Sequence, residues 1–390
     1  MRLSFTLFLL FFTIAIQTNY AQDGEDITIG KKYTIHSSVL DEEREYWVSL
    51  PVSYDNEFQR YKRYPVMVVL DGPTHFRPVS GMVEAMSAGY NGNRQIPEMI
   101  VVAIRNVNRE RDFTPDKVIT VRKNDTGGGD RFLSFLEDEL FPELDQNYRT
   151  LPYRILMGHS LGGLLATHAY LKEQTLFNAF IAVDPSFGTW DAEKMDGKLE
   201  KVTDQSFNRY LYIATANGGK RNFRNRDRHI RLFEALHSKC PEEFNAKLDY
   251  FEEENHSSVP LIAVYHGLSA IFSGYGFNYR EATTANDLKR HFQTIAQRLA
   301  FDFPPPEELV NRIGYWLLRS NNEQEQQEAL HFFKLNTELY PASFNAFDSL
   351  GEAYADLKNN EMAIESYQKS LELNPDNKNA ETMIMRLNEK

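Results

Sequence analysis

Five short apolar runs, each apolar on both faces, constrain the fold of this 390-residue chain more than any other feature. In chain order they are YPVMVVLDG (64–72), MIVVAIRN (99–106), YRILMG (153–158), AFIAVDPS (179–186) and RYLYIATAN (209–217). Strands with this pattern are typical of parallel sheets that helices cover on both sides. Helical patterns lie between or after them, at about 129–146, 161–173, 228–239 and 260–273. The alternation predicts an α/β fold, with a mostly parallel sheet, helices on both faces and right-handed crossovers.

The N-terminal region predicts an export signal followed by an antiparallel pair of strands. Arg2 precedes an apolar run from Phe5 to Ile16, which is too short to span a bilayer. We therefore expect residues 1–21 to be a secretory signal peptide. The stretches DITIGKKYTIHSSVL (26–40) and REYWVSLPVSY (44–54) then alternate apolar and polar residues, which is typical of antiparallel strands.

The net charge and the cysteine content limit the compartment and the partners of the chain. A net charge of -12, without a long basic block, disfavours nucleic acid as a partner. The single cysteine, Cys240, cannot form an internal disulfide. An exported chain without disulfides is more typical of a bacterial periplasm than of a eukaryotic secretory route. We expect a periplasmic or extracellular protein with no membrane span after signal cleavage.

A change of composition near residue 276 predicts a separate helical tail, with DFPPP (302–306) as a joint. The spacing of the tetratricopeptide repeat is matched by Phe347, Leu350, Gly351, Tyr354, Ala363, Tyr367 and Pro375, and one repeat length earlier by Ala329, Phe333 and Pro341. The predicted organisation is an α/β domain over 22–280, a helical linker over 281–309, and tetratricopeptide-like repeats with a capping helix over 310–390. Because so few repeats rarely stand alone, we expect the tail to pack on the α/β domain or on a partner.

The segment GHSLGG (158–163) lies between a predicted strand and a predicted helix. It matches the G-x-S-x-G nucleophile elbow, in which a serine takes a strained backbone conformation and its neighbours must be small. Gly158 and Gly162 are those neighbours, and the N-terminus of the following helix favours a developing anion. The alternative is a glycine-rich turn with an incidental serine, but the strand–turn–helix setting favours the elbow. We expect Ser160 to be a catalytic nucleophile.

A serine hydroxyl needs a base to remove its proton, and in this arrangement the base is a histidine later in the chain. The candidates are His229, His237, His256, His266 and His291. His256 is favoured because LDYFEEENHSSVP (248–260) places it in a loop between a strand and a helix. The other four lie in predicted helical segments or beyond the sheet.

The third member of a triad would be an acid that holds the imidazole and offsets its charge. It usually follows the strand after next, which here is RYLYIATA, and the only acid in the predicted loop beyond that strand is Asp227. Asp227 is therefore the first choice, although two flanking arginines offer it an ion-pair role instead. Asp184 at the end of FIAVD, Glu254 two residues before the histidine, and a dyad without an acid are the alternatives.

An oxyanion hole needs two backbone N–H groups. One is expected from Leu161, directly after the serine. The other should come from the loop DGPTHF (71–76). Pro73 has no N–H, so Gly72 or Thr74 must supply it, and Gly72 is our choice.

These segments resemble the esterase D-like family of α/β hydrolases. The resemblance rests on YPVMVVLDGPTHF, RDFTP, FLEDELFPELDQNYRT, GHSLGG and NHSSVP, and covers residues 30–275. The resemblance looks closest to the siderophore-esterase group. Bacterial members of this group can carry a tetratricopeptide tail. The family resemblance implies the α/β-hydrolase fold, with Ser160 as nucleophile and His256 as base. The acid does not carry over, because relatives often have Glu or Asp soon after the strand that ends near Ala216, where this chain has Asn217 and two glycines.

The resemblance implies a secreted serine esterase with an acyl-enzyme on Ser160, and siderophore trilactones as one substrate class. The basic segment KRNFRNRDR (220–228), beside the expected site, would attract an anionic substrate, although a solvated loop explains it equally well. The alternatives are a carbohydrate acyl or feruloyl esterase, an acyltransferase on the same site, and a non-enzymatic interaction protein acting through the tail. TGGGD (126–130) lacks the phosphate-loop pattern, and no cofactor or metal is expected.

Overall fold

The structure is a computed structural model, and it describes most of the chain. The described residues are 24–89, 94–117, 125–172, 176–189, 197–200, 208–239, 245–281 and 284–389, without the side chains of 189 and 220–223. The expected signal peptide (1–21) and Cys240 lie outside them. Within these ranges, no helix is both long enough and apolar enough to cross a membrane.

A sheet of eight described strands forms the centre of the molecule, in the order β1-β2-β4-β3-β5-β6-β7-β8. The strands are β1 (Lys31–Ser37), β2 (Glu42–Ser49), β3 (Tyr64–Val69), β4 (Ile100–Ile104), β5 (Thr150–His159), β6 (Ala179–Val183), β7 (Tyr210–Ala216) and β8 (Ala246–Phe251). The pairs β1–β2 and β2–β4 are antiparallel, and the other pairs are parallel. The predicted α/β fold is confirmed.

Helices cover both faces of this sheet. They are α1 (Gly72–Ser87), α2 (Arg109–Phe113), α3 (Gly129–Phe135), α4 (Phe141–Asn147), α5 (Leu161–Leu171), α6 (Gly219–Lys239) and α7 (Val259–Ile271). Side chains alternate along each strand, so Met67 and Val69 of β3 face the core layer under α1 and α7. Val66 and Val68 face the other layer, under α3 to α6. The apolar runs are therefore buried on both sides, as their composition predicts.

The C-terminal tail is helical throughout its described length, apart from short connections. Its helices are α8 (Ala285–Leu299), α9 (Glu307–Leu318), α10 (Glu323–Leu339), α11 (Phe344–Asp356), α12 (Asn360–Leu373) and α13 (Lys378–Asn388). α9 pairs with α10 and α11 with α12, and α13 packs on α12. α9 begins at Glu307, directly after the proline-rich joint and three residues before the expected start of the repeats at 310.

The tail packs on the α/β domain, at the edge of the sheet where the parallel strands begin. The rings of Phe58, ahead of β3, and Phe344, on α11, are 5.1 Å apart. Tyr153, near the start of β5, lies 4.9 Å from Phe303 in the joint. One continuous hydrophobic core runs from the α1 and α7 layer into the tail helices. The tail therefore lies at the edge opposite to the one where the strands end.

An ionic cluster also crosses this junction. Glu98 accepts hydrogen bonds from Lys62 Nζ at 2.5 Å and from Arg94 Nη1 at 2.8 Å. Arg94 Nη2 also lies 3.4 Å from Glu308 of the tail. Burial raises the pKa of Glu98, but the two cations outweigh that effect and lower its pKa to about 2. The carboxylate is thus ionised and stabilised by its two partners.

Candidate active site

Ser160 stands at a strained turn between β5 and α5. Its backbone has φ 61° and ψ -115°, a conformation that non-glycine residues rarely adopt. Its N–H donates to the carbonyl of Val183 at 2.9 Å, which fixes the turn against β6. A Cβ on Gly158 would lie 2.2 Å from the carbonyl oxygen of Gly162, so the chain can make this turn only with glycine at 158. The turn has the backbone of a nucleophile elbow.

Asp184 and His256 form a close pair beside this turn. His256 Nδ1 lies 2.5 Å from Asp184 Oδ2, and the other carboxylate oxygen accepts from the N–H of Ala216 at 3.3 Å. Asp184 is 5% exposed and has φ 39°, a second strained backbone at the carboxyl edge of the sheet. The carboxylate requires a hydrogen on Nδ1, which leaves Nε2 of the half-exposed ring as the nitrogen that can accept a proton.

The choice of Asp227 as the acid is wrong, because the carboxylate that contacts His256 is Asp184. The segment predicted as a long loop after β7 is mostly helix, since α6 begins at Gly219. Asp227 is exposed on that helix, eight residues from its start, which places it about 12 Å along the helix axis. Glu254 turns its backbone carbonyl to the N–H of Asn217 at 2.7 Å.

The other four candidate bases lie in positions that do not give them the contact with the carboxylate of Asp184 that His256 has. His229 is fully buried on α6, where its ring nitrogens lie 2.9 Å from Thr215 Oγ1 and 2.7 Å from the carbonyl of Pro185. His291 Nε2 contacts the carbonyl of Gly274, at 2.8 Å. His266 packs edge-on against Phe251, and His237 is exposed on α6. Among the five candidates, which all lie in the described part of the chain, His256 is the one whose ring nitrogen lies within hydrogen-bond distance of a carboxylate at the carboxyl edge of the sheet, whereas His266 Nδ1 lies 3.9 Å from Asp249 on β8.

The loop expected to supply the second oxyanion donor lies at the start of α1. The N–H of Thr74 donates to the carbonyl of Asp71 at 3.0 Å, so it is committed within the first turn. Gly72 is the remaining choice, and the close approach of the Ile104 carbonyl, 3.0 Å from a Cβ placed there, explains the glycine. Leu161 is the first residue of α5, where backbone N–H groups lack helical partners. Gly72 and Leu161 thus begin two helices at the same edge of the sheet.

Two further histidines extend from His256, with His159 packed against it and His75 packed against His159. The ring centroid of His159 lies 4.5 Å from that of His256, and His75 lies 5.8 Å from His159. Burial, followed by the neighbouring imidazoles of His256 and His75, lowers the pKa of His159 to about 4. His159 is therefore neutral near pH 7 and adds no positive charge beside His256.

An ion pair that the sequence gave no reason to single out lies behind the elbow. Arg109 donates from Nε to Asp71 Oδ1 at 2.6 Å and from Nη2 to Asp71 Oδ2 at 2.9 Å. Its Nη2 also reaches the carbonyl of His159 at 3.2 Å. The two residues are 38 positions apart, and no local pattern connects them. Arg109 is one-third exposed, and its contacts with Asp71 and with the carbonyl of His159 tie the start of α1 to the elbow.

The comparisons with protein families assign both parts of the chain. Residues 37–260, more than half of the chain, match the model of the family described as "Putative esterase". Residues 349–377 match the model of the tetratricopeptide repeat. Within the described residues, no group of three or more His, Cys, Asp or Glu side chains is arranged to hold a metal ion.

Named relatives include siderophore esterases. The ferri-bacillibactin esterase BesA of Bacillus subtilis is 27% identical over 226 residues, 53% of this chain and 78% of that protein. The siderophore triacetylfusarinine C esterase of Aspergillus fumigatus is 40% identical over 62 residues, 15% of this chain and 21% of that protein. The structure of an IroE-like serine hydrolase from Shewanella oneidensis has a TM-score of 0.71 at 26% identity, covering 80% of this chain and 99% of that one. An uncharacterised protein from Capnocytophaga ochracea, with a TM-score of 0.58 at 20% identity over 93% of this chain and 100% of that one, shares the fold.

Proposed function

Since the chain belongs to the "Putative esterase" family and is a carboxylic-ester hydrolase, we propose that it is an exported siderophore esterase that works through an acyl-enzyme on Ser160. The observation that carries the mechanism is the pair of Asp184 and His256, 2.5 Å apart beside the strained backbone of Ser160. The tetratricopeptide tail gives the enzyme a second surface, which we propose for contact with another protein.

The geometry supports a two-step reaction. Ser160 Oγ attacks the ester carbonyl, its proton passes to His256 Nε2, and the oxygen of the tetrahedral intermediate accepts from the N–H groups of Leu161 and Gly72. The alcohol then leaves with the proton from His256, and an acyl group stays on Ser160. Water repeats the sequence and releases the acid. Asp184 holds the ring and stabilises its positive charge in both steps.

Charge at the site supports an anionic ester as the substrate. Arg224 is exposed on α6, which begins three residues after the end of β7, and Arg109, paired with Asp71, is one-third exposed behind the elbow. A ferric catecholate trilactone carries the negative charge and the ester bonds that this arrangement suits. Ferri-bacillibactin, which the name of one relative states as its substrate, is of this class.

The experiment is a substrate panel read by liquid chromatography and mass spectrometry. Ferric and iron-free bacillibactin, triacetylfusarinine C, a feruloyl ester and an acetylated sugar are incubated with the wild type and with Ser160→Ala. We expect the wild type alone to open the ferric trilactones, at a higher kcat/KM than the sugar and feruloyl esters. Preference for a feruloyl or sugar ester would move the proposal to a carbohydrate esterase. Turnover that survives in Ser160→Ala would exclude the acyl-enzyme.

Acyl transfer and a purely structural role are tested in the same samples. An acyltransferase would convert an added alcohol to a new ester faster than it releases free acid. An interaction protein would leave every ester intact and fail to react with a fluorophosphonate. Export is tested separately, by N-terminal sequencing of the mature protein from a periplasmic fraction, where we expect a start near residue 22.

A further inference from the structure

The hydroxyl of Ser160 contacts a side chain that the two-step reaction leaves without a role. Ser160 Oγ and Ser186 Oγ are 3.0 Å apart, and the N–H of Ser186 donates to the carbonyl of Ser160 at 3.0 Å. Among the hydrogen bonds described for Ser160 Oγ, Ser186 is the side-chain partner and His256 is not. Ser186 is half-buried, so part of its surface is accessible to solvent.

The position of Ser186 is fixed by α6. Asn225 donates to the carbonyl of Pro185 at 3.0 Å and accepts from the N–H of Phe187 at 3.2 Å. His229 Nε2 lies 2.7 Å from the same Pro185 carbonyl. These bonds hold the residues on both sides of Ser186, so its hydroxyl is placed before any substrate arrives.

We infer that Ser186 is a further catalytic residue, whose hydroxyl donates a hydrogen bond to Ser160 Oγ as the acyl-enzyme is hydrolysed. The inference rests on the proposed acyl-enzyme. It assigns Ser186 chiefly to the second half of the reaction, because the strength of its bond to Oγ changes most there.

The chemistry of Oγ explains that preference. In the free enzyme Oγ is a hydroxyl oxygen that already forms a hydrogen bond with Ser186. The transition state of acylation is therefore stabilised only by the increase in strength of that hydrogen bond. In the acyl-enzyme Oγ is an ester oxygen, which is a weak acceptor. During deacylation the oxygen of water bonds to the acyl carbon and its proton goes to His256. The bond between the carbon and Oγ then breaks, its electron pair moves to Oγ, and Oγ takes the proton from His256. Negative charge develops on Oγ in that transition state, where a donor stabilises it most.

The test measures the two steps separately in the full chain. Stopped-flow kinetics with p-nitrophenyl butyrate give the acylation rate from the burst and the deacylation rate from the steady state. Ser186→Ala is expected to slow deacylation about fivefold, the effect of one net hydrogen bond, and to change acylation less than about twofold. Intact-protein mass spectrometry should show more of the enzyme carrying the butyryl group. Ser186→Thr keeps the hydroxyl and should restore the ratio of the two rates.

Ser257→Ala is the matched control, because it removes an exposed hydroxyl next to His256 and should keep the wild-type ratio. Ser186→Cys, which keeps the size but donates weakly, should slow deacylation as well and serves if the alanine variant does not fold. Equal slowing of both steps, or no change in either, would overturn the role of Ser186. A wild type that forms no acyl-enzyme would instead remove the proposed function, so the two failures are distinguishable.

Discussion

Replacement of Asp184 by Asn is expected to lower kcat by about a thousandfold or more, because it reverses one hydrogen bond and leaves the rest of the turn intact. Asn tolerates the positive φ at this position and still accepts from the N–H of Ala216. Its amide nitrogen, however, would face His256 Nδ1, which must then carry no hydrogen. The hydrogen moves to Nε2, and the ring can no longer accept the proton of Ser160.

The size of the effect follows from the burial of the pair. A buried Asp that orients a catalytic His in a serine hydrolase is worth about ten-thousandfold in kcat by the same exchange. Asp184 is 5% exposed, but the side chain of His256 is 45% exposed. Water can therefore stabilise part of the charge on the ring. We expect the loss of kcat to be smaller than ten-thousandfold, at about a thousandfold.

The assay is steady-state hydrolysis of p-nitrophenyl butyrate, with thermal unfolding to show that each variant is folded. Asp227→Asn is the matched control, since it makes the same exchange at an exposed helical position and should change kcat less than about twofold. The reasoning is refuted if Asp184→Asn stays within about tenfold of the wild type while Asp227→Asn or Glu254→Gln loses most activity.

Two further exchanges test the elbow and the junction with the tail. Gly158→Ala should abolish activity and lower the Tm, because its Cβ would lie 2.2 Å from the carbonyl oxygen of Gly162; a stable, active variant would contradict the tight turn. Glu98→Gln should lower the free energy of unfolding by about 3 kcal/mol at pH 7, from the pKa of about 2 that Lys62 and Arg94 impose. A carboxylate with a lowered pKa stabilises the fold above the ordinary value of 4.5 and loses this effect as the pH falls toward 2. The difference between the two proteins, measured by urea unfolding, should therefore shrink over that range, and a difference independent of pH would contradict it.

The fold was predictable because strands that are buried on both faces of a sheet consist almost entirely of apolar residues. The strands of the central sheet are apolar on both faces, and the runs at 64–72 and 179–186 contain β3 and β6 within a few residues. The nucleophile elbow could also be recognised from the sequence, because its glycines, the strand before it and the helix after it are adjacent in the chain. The loops that follow parallel strands all lie at the carboxyl edge of the sheet, where functional residues are expected. His256 was a candidate because it lies in such a loop.

The acid was not predictable, because its identity depends on where a helix begins and on a contact between distant residues. Gly and Asn after β7 are typical of a loop, yet α6 begins at Gly219 and carries Asp227 away along its axis. Asp184 and His256 are 72 positions apart, and only the folded sheet shows that they touch. Ser186 and Arg109 were missed for the same reason, since their contacts are made across strands.

The hydrophobic core that joins the tail to the α/β domain affects how such proteins can be recombined. The match to the esterase family ends at residue 260, and a chain cut there would keep only the first two residues of α7 and uncover the layer that packs on the tail. A chimaera that exchanged tails between two relatives would have to carry the facing core residues along with the helices. Because the two parts share one interior, we expect them to have diverged as a single unit, with substitutions on one side of the junction matched on the other.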